Sequence, residues 1–199
     1  MPRVSEVVKH LLIINVLVYF GSFFLLQRPV ATLAMYWPGS EGFQPYQIVS
    51  HMFMHGSPMH LFFNMFGLYM FGSNLEYFWG PKRFLSYYLI CGFGALVIHL
   101  LYMYFTKTFD VPVVGASGAI YGLLLGFGMQ FPNMRIMLLI PPIPMKAKYF
   151  VMIFAAIELY LGFSGRETNI AHFAHLGGAL TGILIILYWK ASGKFNQIN

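Results

Sequence analysis

Long apolar runs separated by short polar segments make up most of the sequence. Six of these runs reach or approach the roughly 17–25 residues that a helix needs to cross the hydrocarbon of a bilayer. They lie near residues 9–27, 58–78, 83–106, 115–131, 147–163 and 171–189. The pattern predicts an all-α polytopic membrane protein, with six spans forming a single domain over residues 1–199.

The connection between the first two spans, residues 28–57, is the long one, and it is both amphipathic and aromatic. Such a segment is expected to lie in the membrane interface rather than in water. The first apolar run is interpreted as a retained span and not as a cleaved signal peptide. It is longer than a typical signal core, and Gln27, Arg28 and Pro29 follow it in place of a small-residue cleavage site.

Composition strengthens the membrane interpretation. Hydrophobic residues make up 58% of the chain and charged residues only 9%, with a mean hydropathy of +0.67, whereas a soluble domain carries about 25% charged residues. The single cysteine, Cys91, excludes an intrachain disulfide framework. The net charge of +6 comes from basic residues scattered between apolar runs, which does not favour nucleic-acid binding.

The positions of the basic residues predict the orientation of the chain. With both termini in the cytoplasm, nine Lys and Arg residues lie inside and three outside, which agrees with the positive-inside rule. The inner set is Arg3, Lys9, Lys82, Arg83, Arg135, Lys146, Lys148, Lys190 and Lys194, and the outer set is Arg28, Lys107 and Arg166. The short six-span form and the lack of a transit-type N-terminus favour a bacterial inner (plasma) membrane.

Glycines repeat every four residues on the fourth and sixth predicted spans. They form two ridges, Gly118, Gly122 and Gly126 on the fourth span and Gly178 and Gly182 on the sixth. In lipid, small residues at this spacing allow two helix backbones to approach closely. We therefore expect these two ridges to pack against each other.

Two polar residues lie at the ends of these ridges. Ser117 belongs to the GASG segment of residues 115–118, and His175 lies three residues before Gly178. If the ridges face each other, the hydroxyl and the imidazole meet near the outer third of the membrane, as a serine nucleophile and its base require. A serine among small residues more often serves packing alone, but polar groups inside a membrane are costly and commonly functional.

The second span opens with a denser polar cluster, namely His51, His55, His60 and Asn64. Two interpretations compete for it. Histidines four residues apart can bind zinc, but the glutamate of the H-E-x-x-H motif is missing and no acid lies nearby in sequence. We favour the alternative, in which His60 and Asn64 donate hydrogen bonds to a developing oxyanion. His51 and His55 are then structural, and no metal is expected.

The few carboxylates bear on how the histidine is oriented. The chain has one aspartate, Asp110, and five glutamates, none with an obvious position behind His175. A Ser-His dyad is therefore expected in place of a triad, with Tyr121 stacking on the imidazole. Glu158, an acid within the fifth span, is expected to snorkel outward and is assigned no role. His172 is left as a packing or interface residue.

Taken together, these motifs resemble those of the rhomboid family of intramembrane serine proteases. The similarity extends over about residues 9–190 and includes three motifs in family order. These are three histidines followed by asparagine (His51, His55, His60, Asn64), G-x-S-G followed by tyrosine (Gly115, Ser117, Gly118, Tyr121), and A-H-x-x-G-x-x-x-G (Ala174, His175, Gly178, Gly182). The sequence departs from the family at Tyr46-Gln47, where Trp-Arg is frequent; this departure touches no catalytic role.

The resemblance implies a rhomboid-like bundle in the minimal six-helix form that cleaves transmembrane proteins without a cofactor. It assigns Ser117 as the nucleophile and His175 as the general base, with His60, Asn64 and the Ser117 backbone N–H forming the oxyanion hole. It also implies that residues 28–57 form a membrane-embedded loop. The substrate gate would be the fifth span with the loop near Ser164–Ile170.

Two other functions are compatible with such a chain. A rhomboid-like non-catalytic protein would bind transmembrane helices without cutting them, but it is expected to lack the serine or the histidine. A small transporter or channel would use the polar residues of spans two and six as a path. Transporters of this kind often contain internal repeats, and none is found in this sequence.

Overall fold

The structure is a computed structural model that describes residues 4–137, 142–164 and 171–193. Most of these residues are helical. The helices are α1 (Glu6–Leu25), α2 (Pro29–Leu33), α3 (Gln47–Ser50), α4 (Pro58–Gly67), α5 (Ser73–Trp79), α6 (Pro81–Thr106), α7 (Ser117–Gln130), α8 (Ala147–Phe163) and α9 (His172–Ala191). A π-helical segment, Leu68–Gly72, joins α4 to α5 without a break. Two short antiparallel strands, β1 (Arg135–Met137) and β2 (Pro144–Lys146), lie between α7 and α8.

The predicted helical membrane bundle is confirmed, and each of the six apolar runs coincides closely with a helix or with the continuous α4–α5 segment. By length and apolar composition, three of the described helices, α1, α6 and α9, could cross a membrane. The helices α7 and α8 are shorter, with 14 and 17 residues. The count of six spans therefore stays a prediction.

Proline and capping residues define where several helices begin. Pro29, Pro58 and Pro81 each occupy the first turn of a helix, where their missing N–H removes no helical hydrogen bond. Ser57 caps α4, since its side chain accepts a hydrogen bond from the His60 N–H at 3.1 Å. The start of α4, the helix that carries His60 and Asn64, is thereby fixed by local sequence.

The centre of the bundle is formed by α6, α7 and α9. Trp79, Tyr87 and Trp189 pack together there, with ring centroids 4.9–5.7 Å apart. The buried Tyr87 hydroxyl donates a hydrogen bond to the Gly122 carbonyl at 2.8 Å. A buried hydroxyl needs such a partner in an apolar interior, and this one ties α6 to α7 beneath the glycine ridges.

The two glycine ridges face each other, as predicted, at the crossing of α7 and α9. A Cβ atom added to Gly178 would lie only 1.9 Å from the Gly118 carbonyl oxygen, and one added to Gly182 would lie 3.4 Å from the Gly122 Cα. Gly126 differs, because its neighbours are the rings of Trp79 and Tyr87. Close backbone contact therefore occurs at the end of α7 where Ser117 lies.

The long connection of residues 28–57 is organised around Gln47, which is 1% exposed. The Gln47 amide donates to the Gly42 carbonyl at 3.0 Å and to the Thr32 carbonyl at 3.3 Å, and its oxygen accepts from the Gln44 N–H at 3.0 Å. The uncharged Gln47 thus holds the loop through backbone groups. The loop also contacts the segment before α7, because Met35 and Val113 form an antiparallel bridge.

A buried acid anchors the beginning of α1. Glu76 on α5 is 5% exposed and accepts hydrogen bonds from the Ser5 hydroxyl at 2.5 Å and from the Val7 and Val8 N–H groups at 2.9 Å. The Val7 and Val8 N–H groups belong to the first turn of α1, where backbone N–H groups have no acceptor within the helix. A carboxylate at this position also interacts favourably with the helix dipole, so it fixes α1 against α5.

Candidate active site

Ser117 is the first residue of α7 and is half-buried. The turn leading into it depends on Gly115, whose φ of +112° is unfavourable for any residue with a side chain. The Gly115 N–H donates to the His51 carbonyl at 2.8 Å, which attaches this turn to the long connection. The sequence thus places the serine hydroxyl at the positive end of a helix, beside N–H groups that are free of intrahelical bonds.

His175 lies in the first turn of α9, 58 residues from Ser117 in sequence. The Nε2 atom of its imidazole is 2.9 Å from the Ser117 Oγ, a normal hydrogen-bond distance. The predicted meeting of the two side chains is therefore observed. It results from the close crossing of the glycine ridges at Gly118, next to Ser117, and Gly178, about one turn beyond His175.

Tyr121 fixes the plane of the histidine ring. The two rings are stacked with their centroids 4.2 Å apart and their planes inclined by 7°. Tyr121 is one turn beyond Ser117 on α7, so the same helix carries both the hydroxyl and the aromatic ring that flanks the imidazole. This stacking was expected from the sequence and is present in the structure.

The expectation for Glu158 is wrong. Its side chain does not snorkel outward but is 6% exposed and lies behind His175. One carboxylate oxygen, Oε1, accepts a hydrogen bond from the His175 Nδ1 at 3.0 Å, and the Tyr121 hydroxyl donates to the same oxygen. Because α8 packs against both α7 and α9, its buried face lies against the histidine, and the carboxylate finds donors there.

His172 forms a specific hydrogen bond in addition to packing in the bundle. Its Nδ1 lies 2.6 Å from the second carboxylate oxygen of Glu158, and the residue is buried. The ligand atoms of Glu158, His172 and His175 are all within 4.8 Å of one another. Among the described residues, it is this set, and not the histidines of the second-span cluster, that could offer two imidazoles and a carboxylate to a metal.

His60 and Asn64 lie beside the turn that precedes Ser117. A Cβ atom added to Gly115 would be 2.8 Å from the His60 Nε2 and 3.7 Å from the Asn64 Nδ2. The Gly56 N–H points to the His60 Nδ1 at 3.4 Å, which leaves the proton of a neutral ring on Nε2, the nitrogen nearer the turn. Both side chains therefore present N–H groups beside Gly115, two residues before the serine, and the Asn64 amide also donates to the His60 carbonyl at 3.0 Å.

His51 and His55 are buried at the end of the long connection. His51 Nδ1 donates to the Gln47 carbonyl at 2.9 Å, and the His55 ring meets that of His60 edge-on at 5.1 Å. Burial lowers the pKa of His55 to about 4, so this ring is uncharged at neutral pH. The His51 bond agrees with the structural role expected for it, whereas neither His55 ring nitrogen has a hydrogen-bond partner among the described residues. The structural role of the two residues stays a prediction.

These groups open into one large cavity of about 1290 Å³. Ser117, His175, His60 and Asn64 all line it, and the rest of its wall is mainly apolar and aromatic, with contributions from α4, α6, α7, α8, α9 and the segment before α7. A drug-sized ligand fills only about 300–1,000 Å³. The cavity is therefore large enough for a stretch of polypeptide.

The fold and the site together define a polytopic helical membrane protein with a hydrogen-bonded serine and histidine in an apolar cavity. Residues 42–191 match the model of the Rhomboid domain family, and the chain belongs to the rhomboid family.

Several relatives are similar to much of the chain. Rhomboid protein 1, mitochondrial, of Saccharomyces cerevisiae is 32% identical over 139 residues, or 69% of this chain and 40% of that protein. RHOMBOID-like protein 6, mitochondrial, of Arabidopsis thaliana is 32% identical over 156 residues, or 77% of this chain and 47% of that protein. The bacterial Rhomboid protease AarA of Providencia stuartii is 28% identical over 166 residues, or 74% and 57%. The chain spans about half the length of these relatives.

Proposed function

We propose that this chain is an intramembrane serine endopeptidase that cleaves transmembrane segments of other membrane proteins. The observation that carries the proposal is the 2.9 Å contact between the Ser117 Oγ and the His175 Nε2. Membership of a family that includes a bacterial protease supports it. Ser117 is the nucleophile and His175 is the general base.

The reaction is an acyl transfer in two halves. His175 takes the hydroxyl proton through Nε2 as the Ser117 Oγ attacks the scissile carbonyl, and it then protonates the leaving amine. Water enters, His175 removes a proton from it, and hydrolysis of the ester frees the serine. The carbonyl must be accessible to Ser117, so substrate helices with Pro or Gly near the cleavage site are expected to react faster.

Charge develops on the carbonyl oxygen in each tetrahedral intermediate, and donors near Ser117 stabilise it. The Ser117 N–H, the His60 Nε2–H and the Asn64 amide are assigned this role. Their support is the position of His60 and Asn64 beside Gly115 and the start of α7 at Ser117. Donors fixed in an apolar site act strongly because they need no reorientation during the reaction.

The proposed setting is the inner (plasma) membrane of a bacterium, with six spans and both termini in the cytoplasm. The balance of basic residues supports this orientation, which places Ser117 and His175 toward the extracytoplasmic side. The substrate is proposed to enter past α8. Residues 165–170 of the predicted gate loop, together with Arg3, Arg166 and Lys194 of the charge count, lie outside the described residues.

The wild-type protein provides the first test. Purified protein in liposomes should cleave a single-span reporter and should react covalently with a fluorophosphonate at Ser117, as located by mass spectrometry of the labelled peptide. Labelling is expected because the Ser117 hydroxyl has a base at hydrogen-bond distance. A folded protein that binds the reporter but neither cleaves it nor labels would favour the non-catalytic alternative.

The oxyanion assignment has its own test in Asn64→Ala. We expect kcat to fall about 100-fold with little change in KM, because a donor that acts on the transition state is lost. Asn74→Ala is the matched control, since the Asn74 amide makes the same local bond, to the carbonyl four residues earlier, at 3.0 Å. Equal losses in the two variants would show that Asn64 matters for the helix alone.

A further inference from the structure

Glu158 is a buried acid on an apolar helix, and each of its carboxylate oxygens has a donor. Oε1 accepts from the His175 Nδ1 at 3.0 Å and from the Tyr121 hydroxyl, and Oε2 accepts from the His172 Nδ1 at 2.6 Å. Removing a carboxylate from water is costly unless it is fully paired, and ionisable groups within membrane helices are commonly functional. Such a cluster points to a role for Glu158 beyond packing.

The hydrogen bonds form a line through the imidazole. Glu158 lies at the Nδ1 side of the His175 ring and Ser117 at the Nε2 side, with contacts of 3.0 and 2.9 Å. A carboxylate that accepts the Nδ1 proton selects the tautomer whose Nε2 lone pair faces the serine, and it stabilises the imidazolium that forms when the serine loses its proton. The geometry thus has the arrangement of a serine–histidine–acid triad.

We propose that Glu158 is the positioning residue of this site, so that Ser117, His175 and Glu158 work as a triad. The proposal rests on the proposed function and extends it, because it adds a third residue to the expected pair. Tyr121 contacts both partners of this interaction: its ring stacks on the His175 ring, and its hydroxyl donates a hydrogen bond to the Glu158 carboxylate. His172 occupies the second carboxylate oxygen and restrains its rotation.

The alternative hypothesis is that Glu158, His172 and His175 bind a metal ion. Four-coordinate zinc holds its ligand atoms about 3.3 Å apart, as its ligand distances of about 2.0–2.1 Å require. Here the His172 Nδ1 and the Glu158 oxygen are 2.6 Å apart, a separation at which a shared proton fits between them. Contacts at hydrogen-bond distance favour the triad.

The position of the acid links the site to α8. Ser117 lies on α7 and His175 on α9, whereas the carboxylate belongs to α8. Its hydrogen bonds therefore join three helices at one point. The Nδ1 side of the histidine is complete only while α8 packs against α7 and α9.

Glu158→Gln tests the proposal, because glutamine keeps the size of the side chain and removes its charge. Relative to wild type, kcat for reporter cleavage should fall about 100-fold with KM within about threefold, since the loss concerns the base and not substrate binding. The rate of fluorophosphonate labelling at Ser117 should fall in parallel. Glu41→Gln, a loss of charge at an exposed loop position, is the matched control and should change neither rate.

Glu158→Asp separates positioning from structural support. It keeps the charge on a shorter side chain, so it should retain more labelling than Glu158→Gln even where its thermal stability is equal or lower. A Glu158→Gln protein that is folded and labels at the wild-type rate would overturn the triad. So would activity losses that follow only the folded fraction in both variants.

Two further results with the wild-type protein would have different meanings. Chelator-sensitive wild-type labelling that zinc restores would overturn the triad in favour of a metal site. A folded wild-type protein that neither labels nor cleaves would instead contradict the proposed protease function itself.

Discussion

Replacing Ser117 with alanine should abolish both reporter cleavage and fluorophosphonate labelling, with kcat reduced by about 10⁴-fold or more. The alanine methyl group fits where the hydroxyl stood, so α7 should still begin at residue 117 and the cavity should keep its shape. What disappears is the atom that forms the bond to the substrate carbonyl. The measurement is cleavage of a single-span reporter in liposomes, with the thermal stability of each variant recorded beside it.

Ser86→Ala is a suitable control for this substitution. Ser86 is exposed on α6, and its hydroxyl bonds only locally, to the Lys82 carbonyl at 2.9 Å, so its loss should leave activity unchanged. Adding His175→Ala to Ser117→Ala should cost little further activity, because a base without its nucleophile has nothing to activate. Cleavage that persists in the Ser117→Ala protein would contradict the serine mechanism.

The meeting of Ser117 and His175 could be predicted because its causes are local in sequence. Glycine spacing identifies the face that each helix turns toward its neighbour. Ser117 directly precedes Gly118, the first glycine of its ridge, and His175 lies about one turn before Gly178. The stacking of Tyr121 follows from the same periodicity, because residues four apart on a helix are neighbours. The observed contacts agree with this reasoning.

The position of Glu158 could not be obtained in this way. It is 37 residues from Tyr121 and 17 from His175, and no spacing rule connects α8 to the other two helices. Which face of α8 turns inward depends on the packing of the whole bundle. One signal was present in the sequence: an acid surrounded by apolar residues inside a helix needs a partner.

Other details of the fold are also decided by tertiary packing. The α4–α5 segment was predicted as one uninterrupted span, and nothing in its sequence indicated the wider π-helical segment at Leu68–Gly72. The role of Gln47 in holding the long connection was similarly hidden, because its partners are backbone groups at Thr32, Gly42 and Gln44. Side-chain bonds to backbone depend on the folded path of the loop, which residue types alone do not specify.

Gly178→Val should have the second large effect, because Gly178 holds the crossing that brings the serine and the histidine together. An added Cβ would lie 1.9 Å from the Gly118 carbonyl oxygen and 2.7 Å from its carbonyl carbon. A side chain could relieve such a clash by changing its rotamer, but a backbone carbonyl cannot. The helices α7 and α9 must therefore move apart by more than about 1 Å to restore a normal van der Waals distance between the added Cβ and the Gly118 carbonyl. Overpacking of this kind costs about 1–3 kcal/mol or more of folding free energy.

The rate of cleavage should fall even under conditions where the Gly178→Val protein remains folded. A misplacement of about 1 Å at a reacting group can cost roughly 100-fold in rate, and the two helices carry the two reacting residues. Cleavage by Gly178→Val should therefore fall by about 100-fold or more, including at temperatures where the variant is still folded. Fluorophosphonate labelling, which needs no transmembrane substrate to enter, should fall with it.

Gly21→Val provides the comparison, since Gly21 lies on α1 and an added Cβ there would meet nothing within 4 Å. Both substitutions put a β-branched residue in place of glycine within a helix, so their intrinsic effects on helix propensity are similar. Gly21→Val should retain cleavage and labelling near the wild-type rates. If Gly178→Val retained them as well, the close approach of α7 and α9 could not be what holds Ser117 against His175.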